Sequence, residues 1–333
     1  MPRGILERLA DGPVLGDGGY LLELEKRGYV QAGPFTPEVV VEHPDALAQL
    51  HREFLRAGAE VLQTMTFYAS DDKLATVGME GTVDEINRNA VRIAREVASE
   101  GDALVAGNLS LTWAYDPKEA GSPDHVRGLF DRQLQDQLSA GPPDFWIGET
   151  FSFLGEALLF VERAKATGLP VMVTMSFETL PAKAYEGDSP GDAAKKLADA
   201  GADIVGVNCL NGPAQQLPIA REMVHAVRGS VPIAAQPVAY ATSNEEPDFT
   251  AGDAFPFALT PMTLARGELA RFAADARDGG IGYIGSCCGA VAEHVRAMAK
   301  VLGKLPENER EWRSSSGKAM SAYEYYEHTE TEV

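Results

Sequence analysis

Eight short apolar runs, each followed by a stretch of helical periodicity, constrain the fold of this 333-residue chain more than any other feature. The runs span 13–17, 61–67, 103–110, 144–149, 170–176, 202–209, 231–238 and 280–286, and Val, Ile and Ala dominate them. Continuous apolar runs of this length are the pattern of parallel strands buried on both faces. Helices are predicted between and after them over 44–57, 83–99, 125–139, 154–167, 191–200, 214–227, 263–278 and 290–301, with Gly58, Gly168, Gly201 and Gly279-Gly280 placed to end them. Eight strand-then-helix units predict a (β/α)8 TIM barrel, which gathers its functional residues on the loops at the C-terminal ends of the strands. A doubly wound open sheet is the competing arrangement, but Asp17-Gly18-Gly19 after the first run is too short a glycine signal to cradle a dinucleotide. The barrel is expected over 1–303 and a short C-terminal tail over 304–333.

Forty-nine acidic against 29 basic residues give a formal charge of −20, which argues against nucleic acid or an anionic membrane surface as a partner. No apolar segment approaches the ~20 residues of a membrane-spanning helix, and the first eight residues lack the hydrophobic stretch of a signal peptide. A cytoplasmic location is expected. Reducing conditions there keep thiols free.

The three cysteines are Cys209, ending the sixth run, and the adjacent pair Cys287-Cys288 just after the eighth. A barrel brings both strand ends to one mouth. A disulfide within the adjacent pair is strained and would leave one thiol over. Three soft ligands suit a zinc ion that keeps an open position, whereas three buried thiols acting as small apolar groups is the other reading of the same spacing. His51, His225 and His294 fall within predicted helices and read as surface or internally satisfied side chains rather than ligands.

Several segments carry a resemblance. Gly16-Asp17-Gly18-Gly19, Gly33-Pro34-Phe35-Thr36-Pro37-Glu38, His51-Arg52-Glu53-Phe54-Leu55-Arg56-Ala57-Gly58, Thr66-Phe67-Tyr68-Ala69-Ser70, Gly206-Val207-Asn208-Cys209, Gln236-Pro237 and Cys287-Cys288 closely resemble the betaine–homocysteine S-methyltransferases, a zinc-dependent homocysteine S-methyltransferase family. The likeness runs from about residue 13 to 300. It implies a barrel in which Cys209, Cys287 and Cys288 hold Zn2+, Asp17 with Gly18 and Glu149 contact homocysteine, and no side chain acts as a catalytic acid or base. It also implies methyl transfer from glycine betaine to the homocysteine thiolate, giving methionine and dimethylglycine.

The donor side departs from the family pattern. The family surrounds the betaine cation with aromatic rings, which hold a quaternary ammonium through their quadrupoles. Tyr68 keeps one ring, Phe35 stands where the family has Trp, and Thr150 stands where it has Tyr. Trp113 and Tyr115, after the third run, are expected to replace the lost ring. A sulfonium donor (dimethylsulfoniopropionate, dimethylthetin or S-methylmethionine) is the alternative, and a non-catalytic zinc- or ligand-binding barrel a second one. Trp312, Tyr323, Tyr325 and Tyr326 in the tail suggest a clasp on a partner subunit of a homo-oligomer or on the barrel itself, against a loosely ordered end.

Overall fold

The computed structural model describes residues 3–31 and 33–305, and the tail expected over 304–333 lies outside them beyond Leu305. Eight parallel strands form one sheet: β1 Val14–Leu15, β2 Val61–Gln63, β3 Leu104–Ser110, β4 Phe145–Phe151, β5 Val171–Met175, β6 Ile204–Asn208, β7 Ile233–Gln236 and β8 Tyr283–Ile284. Their order is β1-β8-β7-β6-β5-β4-β3-β2, so β1 pairs with β8 and the barrel lacks only a ladder between β1 and β2. That seam is drawn together by one backbone bond, Glu60 N–H to Leu15 O at 2.9 Å. Two carboxylates add to it: Glu60 Oε2 accepts from Leu15 N–H at 2.9 Å, and Asp17 Oδ2 accepts from Gln63 N–H at 2.8 Å.

All eight predicted strands are present, and each of the eight predicted helices is found within three residues of its expected ends. Pro44–Ala57 matches at both ends, and Ser122–Ser139 and Arg266–Asp278 each shift by three residues at the start. The helix Pro44–Ala57 ends as expected, with Gly58 at φ 105° closing it in the left-handed region that costs a glycine little. Among the described residues four short α-helices were not foreseen: Ile5–Asp11, Leu21–Lys26, Val39–Glu42 and Asp71–Ala75. Helices this short draw their stability from tertiary packing rather than from a periodic pattern of their own.

The core divides into two layers. Val14, Val61, Leu104, Ala106, Phe145, Ile147, Met172, Ile204, Ala234 and Tyr283, contributed by all eight strands, form a buried cluster with Ile5 that fills the barrel. Ile5 and Leu9 bring the helix Ile5–Asp11 against this cluster, next to the start of β1. Residues of the opposite parity, such as Leu15, Leu62, Val105, Trp146, Val205 and Ala235, pack outward against the helices. Side chains on a strand alternate faces, so each inward row continues toward the C-terminal end. Val61 leads to Gln63, Ala106 to Asn108, Ile147 to Glu149, Ile204 through Gly206 to Asn208, and Ala234 to Gln236. The interior therefore turns from apolar to polar as the strands approach their C-terminal ends, and those polar side chains make the floor of the mouth.

The inward row of β6 tolerates no side chain at Gly206: a Cβ built there lies 2.2 Å from the Ala234 carbonyl oxygen and 2.7 Å from its Cβ. Backbone cannot yield as a flexible side chain does. Gly206→Ala should lower the unfolding free energy by about 2–3 kcal/mol, measured by urea titration, and an unchanged midpoint would contradict this packing.

Candidate active site and metal centre

The three cysteines converge. Their Sγ atoms lie within 4.8 Å of one another, with Cys209 and Cys288 at 3.7 Å. Cys209 N–H donates to Gln236 O at 2.9 Å, Cys287 N–H to Pro237 O at 2.8 Å, and Ala239 N–H to Cys288 O at 2.8 Å, so the segment after β7 ties the two cysteine loops together. Close approach needs small neighbours. A Cβ on Gly19 would meet Cys287 O at 2.6 Å, and one on Gly18 would meet the Phe54 ring at 2.6 Å.

Three thiols this close cannot all ionise in the absence of a cation. The Cys287 thiol is pushed well above its usual range by its hydrogen bond with Cys209 and by burial. A tetrahedral ion with ~2.3 Å bonds to sulfur spaces its sulfurs about 3.8 Å apart, close to the Cys209–Cys288 separation. The donor set thus suits a thiophilic ion with one position left open.

Glu149 is the polar centre of the floor. Its Oε1 accepts from Asn108 Nδ2 at 2.6 Å and Gln63 Nε2 at 3.0 Å, and its Oε2 accepts from Asn208 Nδ2 at 3.0 Å. Asn208 is itself oriented by Thr150 N–H and Thr174 Oγ1, both donating to its Oδ1 at 2.8 Å. A register shift between Gly148 and Phe151 bulges β4 at this point, a device that re-aims side chains at strand ends. Burial raises Glu149 to about 7, the Asn108 bond opposing and the Asp17 charge adding to the rise.

Asp17 forms a second carboxylate site. Besides Gln63 N–H, it accepts from Tyr20 Oη at 2.5 Å, and Tyr20 in turn pairs with His51 Nδ1 at 2.9 Å. Burial raises Asp17 to about 6 against these bonds and lowers His51 to about 3, so the ring stays neutral. His51 and His294 are buried and hydrogen-bonded and His225 is exposed, in line with the reading of all three as non-ligands.

A pocket of about 170 Å³ joins these groups. Of the residues singled out in the sequence, Asp17, Gly18, Phe35, Tyr68, Glu149, Thr150 and all three cysteines line it. Trp113 and Tyr115 do not. Trp113 is 63% exposed and donates its indole N–H to Tyr68 Oη at 2.9 Å, while Tyr115 packs edge-on against Phe153 with centroids 5.4 Å apart. The expectation that their rings face the pocket is not met: the loop after β3 folds outward over the start of the helix Leu154–Lys165. The aromatic wall is completed instead by Tyr20, Phe67, Phe249 and Phe255, the last packing against Phe35 at 5.7 Å.

Sequence reasoning also passed over Gln63 and Asn108. Polar residues at inward-facing positions within otherwise apolar runs were the available signal for both. Phe249 and Phe255 come from the long segment after β7, where nothing local marks which side chains turn inward.

Backbone strain is concentrated here as well. Among the described residues seven non-glycine residues adopt positive φ, and five of them, Phe35, Tyr68, Thr150, Cys209 and Leu210, line the pocket, while a sixth, Trp113, holds Tyr68. Such conformations persist only where the surroundings over-determine them, and they cluster at functional sites.

Comparison with known proteins gives the family. A family model described as homocysteine S-methyltransferase matches residues 14–302. The chain is 46% identical over 320 residues to betaine–homocysteine S-methyltransferase 1 of Danio rerio, covering 92% of this chain and 78% of the relative. It is 45% identical over 318 residues to the protein of that name from Xenopus laevis, with the same coverage. An S-methylmethionine–homocysteine S-methyltransferase of Pongo abelii is 41% identical over 331 residues, covering 94% of this chain and 87% of that one. Among solved structures, the metallated form of the homocysteine methyltransferase MmuM from Escherichia coli superposes with a TM-score of 0.69 at 21% identity, covering 88% of this chain and 98% of that one.

The thiol geometry predicts that cobalt(II), a spectroscopic stand-in, binds at about one equivalent per chain and develops thiolate charge-transfer absorption in the near ultraviolet. Cys209→Ala, Cys287→Ala and Cys288→Ala should each remove that absorption. Its persistence in any one variant would take that residue out of the ligand set.

Proposed function

The chain belongs to the homocysteine S-methyltransferase family and is an S-methyltransferase, and we propose that it moves a methyl group from glycine betaine to the sulfur of L-homocysteine, giving methionine and dimethylglycine. The observation that carries this reading is the meeting, in one pocket, of three thiols, two buried carboxylates and an aromatic wall. A sulfonium donor such as S-methylmethionine is the second reading, favoured by Thr150 and Phe35 in place of larger rings and by the Pongo abelii relative. No helix among the described residues is long and apolar enough to cross a membrane, and our reading places the enzyme in the cytoplasm, where its thiols stay reduced.

Cys209, Cys287 and Cys288 would hold zinc. When bound, zinc lowers the pKa of a thiol that joins it, so that the substrate sulfur is a thiolate at neutral pH. The remaining work falls to the chain itself. Asp17 and Glu149 face the homocysteine ammonium from two sides of the floor, and a charge-assisted hydrogen bond there is worth roughly 1.5–3 kcal/mol. Gln63, Asn108 and Asn208 fix the Glu149 carboxylate before substrate arrives, so little reorganisation is left to binding.

Phe35, Tyr68, Phe249 and Phe255 offer ring faces to an onium group and exclude water from it. Thiolate and onium become less charged products, so charge disperses in the transition state and a dry pocket favours the step. The leaving amine or sulfide departs neutral. No side chain has to donate or abstract a proton, which accords with a pocket lined by no histidine.

An assay of the zinc-loaded protein with homocysteine and a panel of onium donors tests the reading, and absence of methionine from every donor would defeat it. A sulfonium preferred over betaine by about a hundredfold, roughly 2.7 kcal/mol of barrier, would transfer the conclusion to the second reading.

Glu149 provides a pH test. Methionine has no thiol to ionise, so its binding reports the floor alone. The ammonium requires an ionised partner and Glu149 titrates at about 7 when empty, so methionine affinity should rise with pH up to about 7 and level off above it. Glu149→Gln should weaken binding by roughly 1.5–3 kcal/mol and remove the part of the rise due to position 149, measured by calorimetry between pH 5.5 and 8. Wild-type affinity with an unchanged profile would remove Glu149 from the ammonium site.

A further inference from the structure

The pocket has carboxylates but no cation: none of its lining residues is Lys, Arg or His. That is adequate for the ammonium of homocysteine and for an onium group. Homocysteine and the donor each bring a carboxylate, however, and the donor's, present in betaine and in S-methylmethionine alike, has no cationic partner in the pocket. Asp17 and Glu149 on the floor repel that carboxylate, so it must point toward the rim.

Lys73 does not line the pocket but stacks on a ring that does. It lies in the short helix Asp71–Ala75, which begins three residues after Tyr68, and its Nζ sits 4.3 Å from the centroid of the Tyr68 ring and 4.9 Å from that of Trp113. Trp113 braces the arrangement through its bond to Tyr68 Oη. Lys73 is only partly exposed, yet it has no ion pair among the described residues. The acid that most affects it is Glu156, whose Oε1 is already engaged by Thr112 N–H at 2.7 Å and Thr112 Oγ1 at 2.6 Å. Burial pulls Lys73 down to about 8, Glu156 only partly offsetting it. A half-buried ammonium held only by ring faces lacks a counter-anion, and its four-carbon stem allows it to reach for one.

We propose that Lys73 is a specificity-determining residue, whose ammonium leaves the Tyr68 and Trp113 rings to receive the carboxylate of a zwitterionic methyl donor at the pocket rim. The proposal rests on the onium-donor reading above. It accounts for a cation stacked on a pocket-lining ring, and it explains why the outward loop after β3 contributes Trp113 without placing it in the pocket. Lys73 selects the donor by its anionic end, while the aromatic wall holds the onium end.

The test uses two sulfonium donors that differ in the carboxylate, dimethylthetin and trimethylsulfonium, with betaine alongside. In the full-length, zinc-loaded enzyme, Lys73→Met should lower kcat/KM for dimethylthetin and betaine by about tenfold or more, through KM, as expected for loss of a charge-assisted contact. It should change the KM of trimethylsulfonium, or its Ki if it only inhibits, by less than about threefold, because no charge pair is lost there. Lys73→Arg should recover much of the loss, and homocysteine affinity should match wild type in both variants.

Equal losses for donors with and without the carboxylate would overturn the proposal and make Lys73 a structural brace of Tyr68. A lower donor KM in Lys73→Met would overturn it too, showing Lys73 to be a cation that competes for the ring. If the wild-type enzyme makes methionine from none of betaine, dimethylthetin and S-methylmethionine, the donor reading itself fails. If it does and the carboxylate discrimination is unmoved in Lys73→Met, only the assignment of Lys73 fails.

Discussion

The site depends on one buried carboxylate. Glu149 lies at the end of an inward-facing row of β4, under the pocket, and an unpaired carboxylate there would be costly. Three amides from three other strands satisfy it: Gln63 of β2, Asn108 of β3 and Asn208 of β6. Each stands on the inward row of its strand, near the C-terminal end. Satisfying Glu149 therefore fixes four strand ends relative to one another, and Cys209 follows directly on Asn208. The three thiols and the Glu149 floor share that framework.

The barrel that carries this floor is closed on one side by side chains rather than by a full ladder. Asp17 bridges to the Gln63 backbone while facing the pocket, so the seam between β1 and β2 and the second carboxylate of the site are one feature. Gln63 is bound at both ends, its N–H by Asp17 and its side chain by Glu149. Strain adds to the rigidity: the left-handed residues at the ends of β4 and β6 hold Thr150 and Cys209 where relaxed backbone would turn them away. The methyl transfer proposed above, written without a proton shuttle, would gain from such fixed positioning more than from any single reactive side chain.

Most of the fold was legible in the sequence, since strands buried on both faces must be contiguous apolar runs and their helices end at glycine. The ladders proved shorter than the runs, as for 13–17 against Val14–Leu15, because backbone pairing stops where the strand ends diverge into loops while burial continues. The convergence of the cysteines was legible because both clusters fall at strand ends of one barrel, whereas Glu149 came only through the family resemblance. The aromatic wall was not. Phe249 and Phe255 reach the pocket from a long segment whose path is set by packing, for instance Phe249 against Tyr240 at 5.2 Å and Phe255 against Phe249 at 5.7 Å. Trp113 and Tyr115 show the converse, since an aromatic residue on a mouth-side loop carries no information about the direction of its ring.

The central claim is that three thiols and the Glu149 floor together receive the sulfur and the ammonium of one homocysteine molecule. X-ray absorption at the zinc edge tests it most directly, on the zinc-loaded enzyme with and without homocysteine. The account predicts three sulfur neighbours without homocysteine and four with it, and Glu149→Ala should need more homocysteine to reach the fourth. A sulfur count that homocysteine does not change would contradict the account.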